Sequence, residues 1–454
     1  MDFRSFLGAL REAGELLDIR EPVSIDYEAG AICRQLSDAN GPAAVLHRVG
    51  DSSAPLVVNV YGTRRRVALA LGTTEDKLLT HVARKLKSRM PTTTHSGPAR
   101  CQEVVIGSKD VDILKWPFPL WNTGDGGRYI TAGCIISRHP EFGWNIAYHR
   151  ALLYNGTELG ICMAPEHHLR YLADESRGKS RVEAAIVIGV RPSISIAAGS
   201  DFPIGDYELD VAGALEGEPI RTVRCKTIDV EVPEDTEIVL EGYFPGEVRD
   251  EGPFVEFTGY QTKVIQSPVF KITAITHRKN PIVQGVFAGK PPCETNTIWR
   301  ELEESEAFDT LRRRYPLLTA LHRPPELGRD FIGVLQINAE RLRPGIVRTL
   351  MLATAAVMPR LKYVIVVDDD IDLYNFNDVM WAVATRCDPK ADMAMIGGTM
   401  TSWLDPSSGG LTGKVLFDAT KKANFGGHIP GYPEEAMARA AQLIRMNLPR
   451  EEKS

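Results

Sequence analysis

The chain has 454 residues, 43% apolar and 25% charged, an ordinary globular profile with room for roughly two to four domains. Its net charge of -6 argues against a general nucleic-acid binder, and no apolar run approaches the roughly 20 residues that span a bilayer. Met1-Asp2-Phe3-Arg4-Ser5 does not open a signal peptide, and the seven scattered cysteines show neither paired spacing nor a CxxC pattern, so reduced thiols and a cytoplasmic location are expected.

Residues 1–105 mix helix and strand and are expected to form an N-terminal α/β region. Phe3 to Leu17 has helical apolar spacing, and Glu21-Pro22-Val23 opens an extended piece. Leu56 to Tyr61 reads as a strand. Thr74 to Lys87 reads as a helix capped by Thr73 or Thr74. Gly62-Thr63-Arg64-Arg65-Arg66 reads as a solvated basic face, with phosphate contact as the alternative.

From 106 to 296, short runs rich in Val, Ile, Thr and Tyr recur between Gly, Pro and Asp. They are Tyr129 to Ser137, Asn145 to Tyr154, Glu183 to Gly189, Thr236 to Tyr243, Phe257 to Ile265, Phe270 to Thr276 and Ile282 to Val286. So many short strands predict a closed or split antiparallel β-barrel, interrupted by helices at Glu166 to Ala173 and Tyr207 to Leu215. A charged amphipathic helix, Thr297 to Arg313, falls in a linker over 297–318. Residues 319–454 return to strand–helix alternation and predict an α/β domain with a parallel component. Its strands are Phe331 to Ile337 and Tyr363 to Val367, and its helices Pro344 to Val357 and Asn377 to Cys387. Ser402 to Lys414 reads as a mobile loop. Glu434 to Leu448 is a last amphipathic helix with Met437, Ala440, Ala441, Ile444 and Leu448 on one face, made to dock on its own domain or on another subunit.

Four stretches hold side chains suited to chemistry. In Glu251-Gly252-Pro253-Phe254-Val255-Glu256 the two carboxylates stand at an odd spacing, which a regular strand would send to opposite faces. Gly252 and Pro253 break that regularity, so a turn or bulge can aim both into one pocket; a polar hairpin loop is the bland alternative. Two carboxylates in a dry pocket do not both ionise cheaply, and a carboxylic acid that stays protonated is a proton donor. Trp144-Asn145-Ile146-Ala147-Tyr148-His149-Arg150 puts Asn, His and Arg on an apolar strand, either as a polar face or as a site wall. In the second case Asn offers an oxygen to a metal and Arg clamps a carboxylate. Pro165-Glu166-His167-His168-Leu169-Arg170 and Glu208 could complete a mixed oxygen and nitrogen set suited to Mn2+ or Mg2+. Asp368-Asp369-Asp370-Ile371-Asp372 follows a strand and is read as structural, for capping and pairing, with Lys362 at the strand's other end as a phosphate partner.

Taken together and in order, these stretches resemble the UbiD family of decarboxylases, which use prenylated FMN. The resemblance runs through Asn145-Ile-Ala-Tyr-His-Arg150, His168, Glu208-Leu-Asp-Val-Ala-Gly213, Val232-Pro233 to Gly242, Glu251 to Glu256 and Tyr363 to Asp370. It implies a central split barrel like that of flavin reductases, flanked by α/β regions and ending in an oligomerisation region. Asn145, His168 and Glu208 match the ligands of a divalent cation, Mn2+ or Mg2+, that holds the cofactor phosphate beside a K+ ion. The tandem His167-His168 aligns either way; Leu169-Arg170 after it favours His168 as the ligand and His167 facing the flavin. Ala147, Tyr148, His149, Arg150 and Lys362 are implied as further cofactor contacts.

Arg150, Glu251 and Glu256 match the family's Glu-Arg-Glu network, with Glu256 at the place of the proton donor, although Val255 stands where the family carries Gly. The implied reaction is reversible, non-oxidative decarboxylation of an aromatic, heteroaromatic or α,β-unsaturated acid. Arg150 orients the carboxylate, the cofactor takes up the electrons left by CO2, and Glu256 protonates the carbon. His167, Phe257, Thr295 and Ile298 are candidate pocket residues, with Trp403 to Thr412 as a lid. A flavin prenyltransferase would supply the cofactor, and a homo-oligomer, dimer or hexamer, is expected. The rival readings are a flavin-dependent oxidoreductase on the same barrel and a non-catalytic flavin- or metal-binding subunit.

Overall fold

Alternating apolar residues build four sheets in the computed structural model, which describes residues 1–163, 169–170, 181–408 and 410–447. The N-terminal sheet runs in the order Leu16–Val23, Ala43–Val49, Leu56–Val58 and Val283–Gln284. Its last member comes from far along the chain and pairs parallel with Leu56–Val58, so the first two regions are interlaced rather than strung in series. Phe3–Glu12 is shorter than its apolar spacing predicts, because Gly14 takes a left-handed turn and a strand begins at Leu16. The Arg64 to Arg66 cluster is not the solvated face expected. Thr63 caps a helix, Arg64–Ala70, and folds the fully buried Arg66 onto Glu15 at 3.0 Å and the Gly41 carbonyl at 2.9 Å.

The central sheet corrects the barrel expectation. Its main path is Tyr129–Ile130, Ala151–Leu153, Glu158–Ile161, Ile265–His277, Ile238–Phe244, Val182–Ile188, Cys134–His139 and Gly143–Tyr148; Val104–Gly107 and Val248–Glu251 also pair with the long strand, making ten. The end strands do not meet, so the sheet is open, neither a closed nor a flavin-reductase-like split barrel; elsewhere the sheets are mixed. Closure would need the edge strand Gly143–Tyr148 to find a partner strand. Instead, the Ile146 amide donates to Glu208 Oε2 at 2.9 Å, at the start of the helix Glu208–Glu216. Helices thus cover the edge that a barrel would have joined.

Both faces of this sheet are buried. Along Val182–Ile188, Ala185 and Val187 enter one core while Ala184, Ile186 and Ile188 enter another, hence the unbroken apolar run. The expected strand Phe257 to Ile265 is absent. Residues 252–264 turn back on themselves with a single Val255–Gln261 bridge, and the long strand starts only at Ile265.

The C-terminal sheet is ordered Leu318–His322, Ile332–Ile337, Tyr363–Asp368, Leu411–Asp418 and Met393–Met400, with parallel pairs in its middle. Part of the stretch expected as a mobile loop is therefore strand. The acidic run after Tyr363–Asp368 is structural, as its side chains suggest: Arg386 pairs with Asp370 at 2.8 Å and with Asp368 at 3.3 Å. Helix Glu434–Asn447 has no buried residue; Leu448 lies outside the described residues.

Candidate active site

A cavity of about 460 Å3 opens where the edge strand of the central sheet faces the C-terminal region. Asn145, Ala147, Tyr148, His149, Arg150, Glu208, Glu256, Phe257 and Thr295 all reach its wall. They converge because the chain leaves the strand Gly143–Tyr148 at His149-Arg150 before re-entering the sheet at Ala151. That break lets Arg150 leave the period-two alternation. His149 is buried, its Nδ1 3.0 Å from the Cys162 carbonyl, which fixes the turn.

Arg150 stands between the two glutamates. Its Nε and one terminal nitrogen form a bidentate fork on Glu251, at 2.9 and 3.0 Å, and the other terminal nitrogen donates to Glu256 Oε1. Glu251 is fully buried, does not line the cavity, and takes a further hydrogen bond from the Tyr129 hydroxyl at 3.0 Å. Glu256 does line the cavity, and its side chain keeps 14% of its exposure. The two carboxylates therefore differ by position: one anchors the guanidinium from behind, the other faces the open space. Gly252 makes this possible with φ +97, a left-handed conformation that other residues strain to adopt. The Arg150 guanidinium also sits 4.9 Å over the Phe254 ring.

On the neighbouring wall Glu208, buried at the first turn of its helix, accepts from Asn145 Nδ2 and from the Ile146 amide, both at 2.9 Å. Burial pushes its carboxyl up to about 8, against the pull of those hydrogen bonds. His167 and His168 lie outside the described residues. Among the described residues no group of three or more His, Cys, Asp or Glu side chains is placed to hold a metal. Lys362 is not on the cavity wall; it pairs with Asp405 at 3.0 Å and donates to Ser407 at 2.7 Å. Ile298 is fully buried behind the wall.

Family models account for nearly all of this chain. The N-terminal, Rift-related and C-terminal domains of 3-octaprenyl-4-hydroxybenzoate carboxy-lyase match residues 7–86, 92–291 and 296–419. An uncharacterized protein of Archaeoglobus fulgidus is 33% identical over 95% of this chain and 94% of its own. The chain belongs to the UbiD family of carboxy-lyases. Among solved structures, the UbiD-class enzyme HmfF from Pelotomaculum thermopropionicum with FMN superposes with a TM-score of 0.90 at 30% identity, covering 97% of this chain and 99% of its own. An evolved dimeric form of HmfF with prFMN gives 0.88 at 29% identity, with the same coverage of both chains.

In this UbiD-family chain the far wall of the cavity is what the sequence concealed. Arg329 lies between Phe257 and Trp299, 5.3 and 5.0 Å from their ring centres. Arg360 donates to Asp201 and, at 3.0 Å, to Glu303. Trp403 and Leu404 complete the wall, so the segment expected as a lid does reach the site. Arg329, Arg360 and Trp403-Leu404 come from three separated segments, and no local spacing links them.

Proposed function

We propose that the protein decarboxylates an aromatic, heteroaromatic or α,β-unsaturated carboxylic acid with prenylated FMN as cofactor, and that the reaction runs in reverse when CO2 is abundant. The observation that carries this reading is Arg150 held between a buried Glu251 and a cavity-facing Glu256. A carboxylate entering the cavity meets a guanidinium that two glutamates fix in place. Arg150 orients that carboxylate, and Glu251 keeps Arg150 from following it. Glu256 holds a proton for the carbon that loses CO2.

The walls suit the cofactor. The cavity lies within the range of about 300–1,000 Å3 usual for bound ligands, and Tyr148, Phe257 and Trp299 offer flat apolar faces. Asn145 and Glu208 bring oxygen donors to the same wall, and with His168 they would hold a Mn2+ or Mg2+ ion against the cofactor phosphate, with K+ nearby. Once bound, the prenylated flavin supplies the electron sink for the departing CO2. A homo-oligomer in the cytoplasm is the expected form.

The test is co-expression with a flavin prenyltransferase, then a screen of cinnamate-like, phenolic and heteroaromatic acids for CO2 release. Release without NAD(P)H supports the reading. Turnover that consumes NAD(P)H, or none at all with the modified flavin bound, overturns it.

A further inference from the structure

The loop Asn122 to Gly127 belongs to no regular element, yet it grips the segment that carries Glu256. Asp125 Oδ1 accepts the Val255 amide at 2.8 Å, one residue before Glu256, and Asp125 Oδ2 accepts the Asn122 amide at 3.0 Å. The Gly126 amide donates to the Pro253 carbonyl at 2.7 Å, and Gln261 donates to the Gly124 carbonyl. The approach is close enough that a Cβ on Gly126 would lie 2.3 Å from the Gly252 carbonyl oxygen. The segment's other backbone hydrogen bonds are partly its own, Phe254 with Thr262 and Glu256 with Tyr260 at 3.0 Å; from outside it, Asn296 Nδ2 donates to the Phe257 carbonyl at 3.1 Å and the Tyr129 hydroxyl to the Pro253 carbonyl at 3.4 Å. The 252–264 turn is thus tied to the rest of the chain through Asp125, Gly126 and Gly124, through Tyr129 at Pro253, through Asn296 at Phe257 and through the Glu256 side chain on Arg150; Asp125 is the tie at the residue directly before Glu256.

We propose that Asp125 is a positioning residue for the reaction: its carboxylate clamps the Val255 amide and so fixes where the Glu256 carboxyl meets the substrate carbon. This rests on the reading of Glu256 as proton donor. Bridging two amides takes an acceptor at each oxygen, which the ionised carboxylate provides best on both sides. Burial pushes the Asp125 carboxyl up to about 6, opposed by the Val255 and Asn122 hydrogen bonds and by Arg150 across the site. Tyr129, which lies between Asp125 and Glu251 electrostatically, keeps its proton and adds no charge. Asp125 touches neither the cavity wall nor Arg150 directly, so its effect passes through the backbone of 253–256.

Asp125→Ala, Asp125→Asn and Gly126→Ala, all as the cofactor-loaded protein, test this beside Glu256→Gln. Misplacing a catalytic group by about 1 Å costs on the order of 100-fold. Asp125→Ala should therefore lower kcat by ~10- to 100-fold with KM and flavin binding nearly unchanged, and raise the solvent deuterium effect on turnover as proton delivery becomes limiting. Asp125→Asn, which keeps one acceptor, should fall between it and wild type. Gly126→Ala removes no charge and should act in the same direction. Amide hydrogen exchange should quicken in a peptide spanning 252–260 and stay unchanged in the strand 265–277. Wild-type exchange at 252–260 in Asp125→Ala, or wild-type kcat while Glu256→Gln is inactive, overturns the clamp and leaves the donor assignment standing. Exchange that quickens across the whole central sheet also overturns it, since the role would be general folding. Full turnover in Glu256→Gln overturns the donor assignment, and the positioning role of Asp125 with it.

Discussion

In the proposed mechanism the chemistry at Glu256 comes down to one proton. The carbon that loses CO2 needs a donor held within hydrogen-bond reach. Glu251 pairs with Arg150 and Tyr129 and does not line the cavity, so the proposed mechanism gives the delivery to Glu256. Glu256→Gln keeps the shape and removes the transferable proton. It should bind cofactor and substrate yet turn over at least ~100-fold more slowly, with solvent deuterium entering the product at the same reduced rate. A loss in Glu251→Gln with Glu256→Gln unaffected would exchange the two roles. Glu208 is tested differently. Its Ala variant should lose bound metal and flavin together, read by elemental analysis and flavin absorbance after dialysis; full flavin absorbance in the variant would refute a metal bridge there.

Among the elements, the short helix Glu294–Ile298 carries a buried acid outside the proposed chemistry. Glu294 accepts the Tyr61 amide at 2.9 Å and the Phe287 amide at 3.4 Å, joining the N-terminal region to the cavity wall. Burial pushes its carboxyl from 4.5 up to about 7. Between those values the folded chain keeps a proton that the unfolded chain has released. Its contribution to stability is full below the unfolded value and is lost as pH rises through 7, a difference of about 3 kcal/mol. Denaturation at pH 5 and pH 8 should show a larger loss in wild type than in Glu294→Gln. Equal losses would mean that Glu294 does not titrate in this window. The element boundaries follow the same logic of partners: Thr63 was legible as polar text but not as the cap that buries Arg66, because burial depends on Glu15 and Gly41, far away in sequence.

For the whole molecule, the open question of assembly falls on helix Glu434–Asn447. Met437 and Ile444 on its apolar stripe are 57% and 60% exposed, and nothing among the described residues covers them. The dimeric HmfF structure is of an evolved form of that enzyme. Light scattering at micromolar concentration should give at least a dimer, and truncation after Tyr432 should weaken it. A full-length monomer would count against this role for the helix.

The sequence alone determined the parts that are local or ordered along the chain: the Asn145 to Arg150 stretch, the Glu251 to Glu256 turn, Glu208 at a helix start, and the α/β text of the C-terminal region. Side-chain type and spacing carry these, and most of their residues meet on one cavity wall. Tertiary structure decided the rest. Many short strands were consistent with a barrel, but whether a sheet closes depends on what meets its edge strands, and here Glu208 meets Gly143–Tyr148 before any strand does. Likewise Arg329 and Arg360 reach the cavity, and Asp125 reaches Val255, only through packing between segments far apart in the chain. A linear pattern records which faces are apolar; which of them come together is fixed by the three-dimensional competition for the same buried partners.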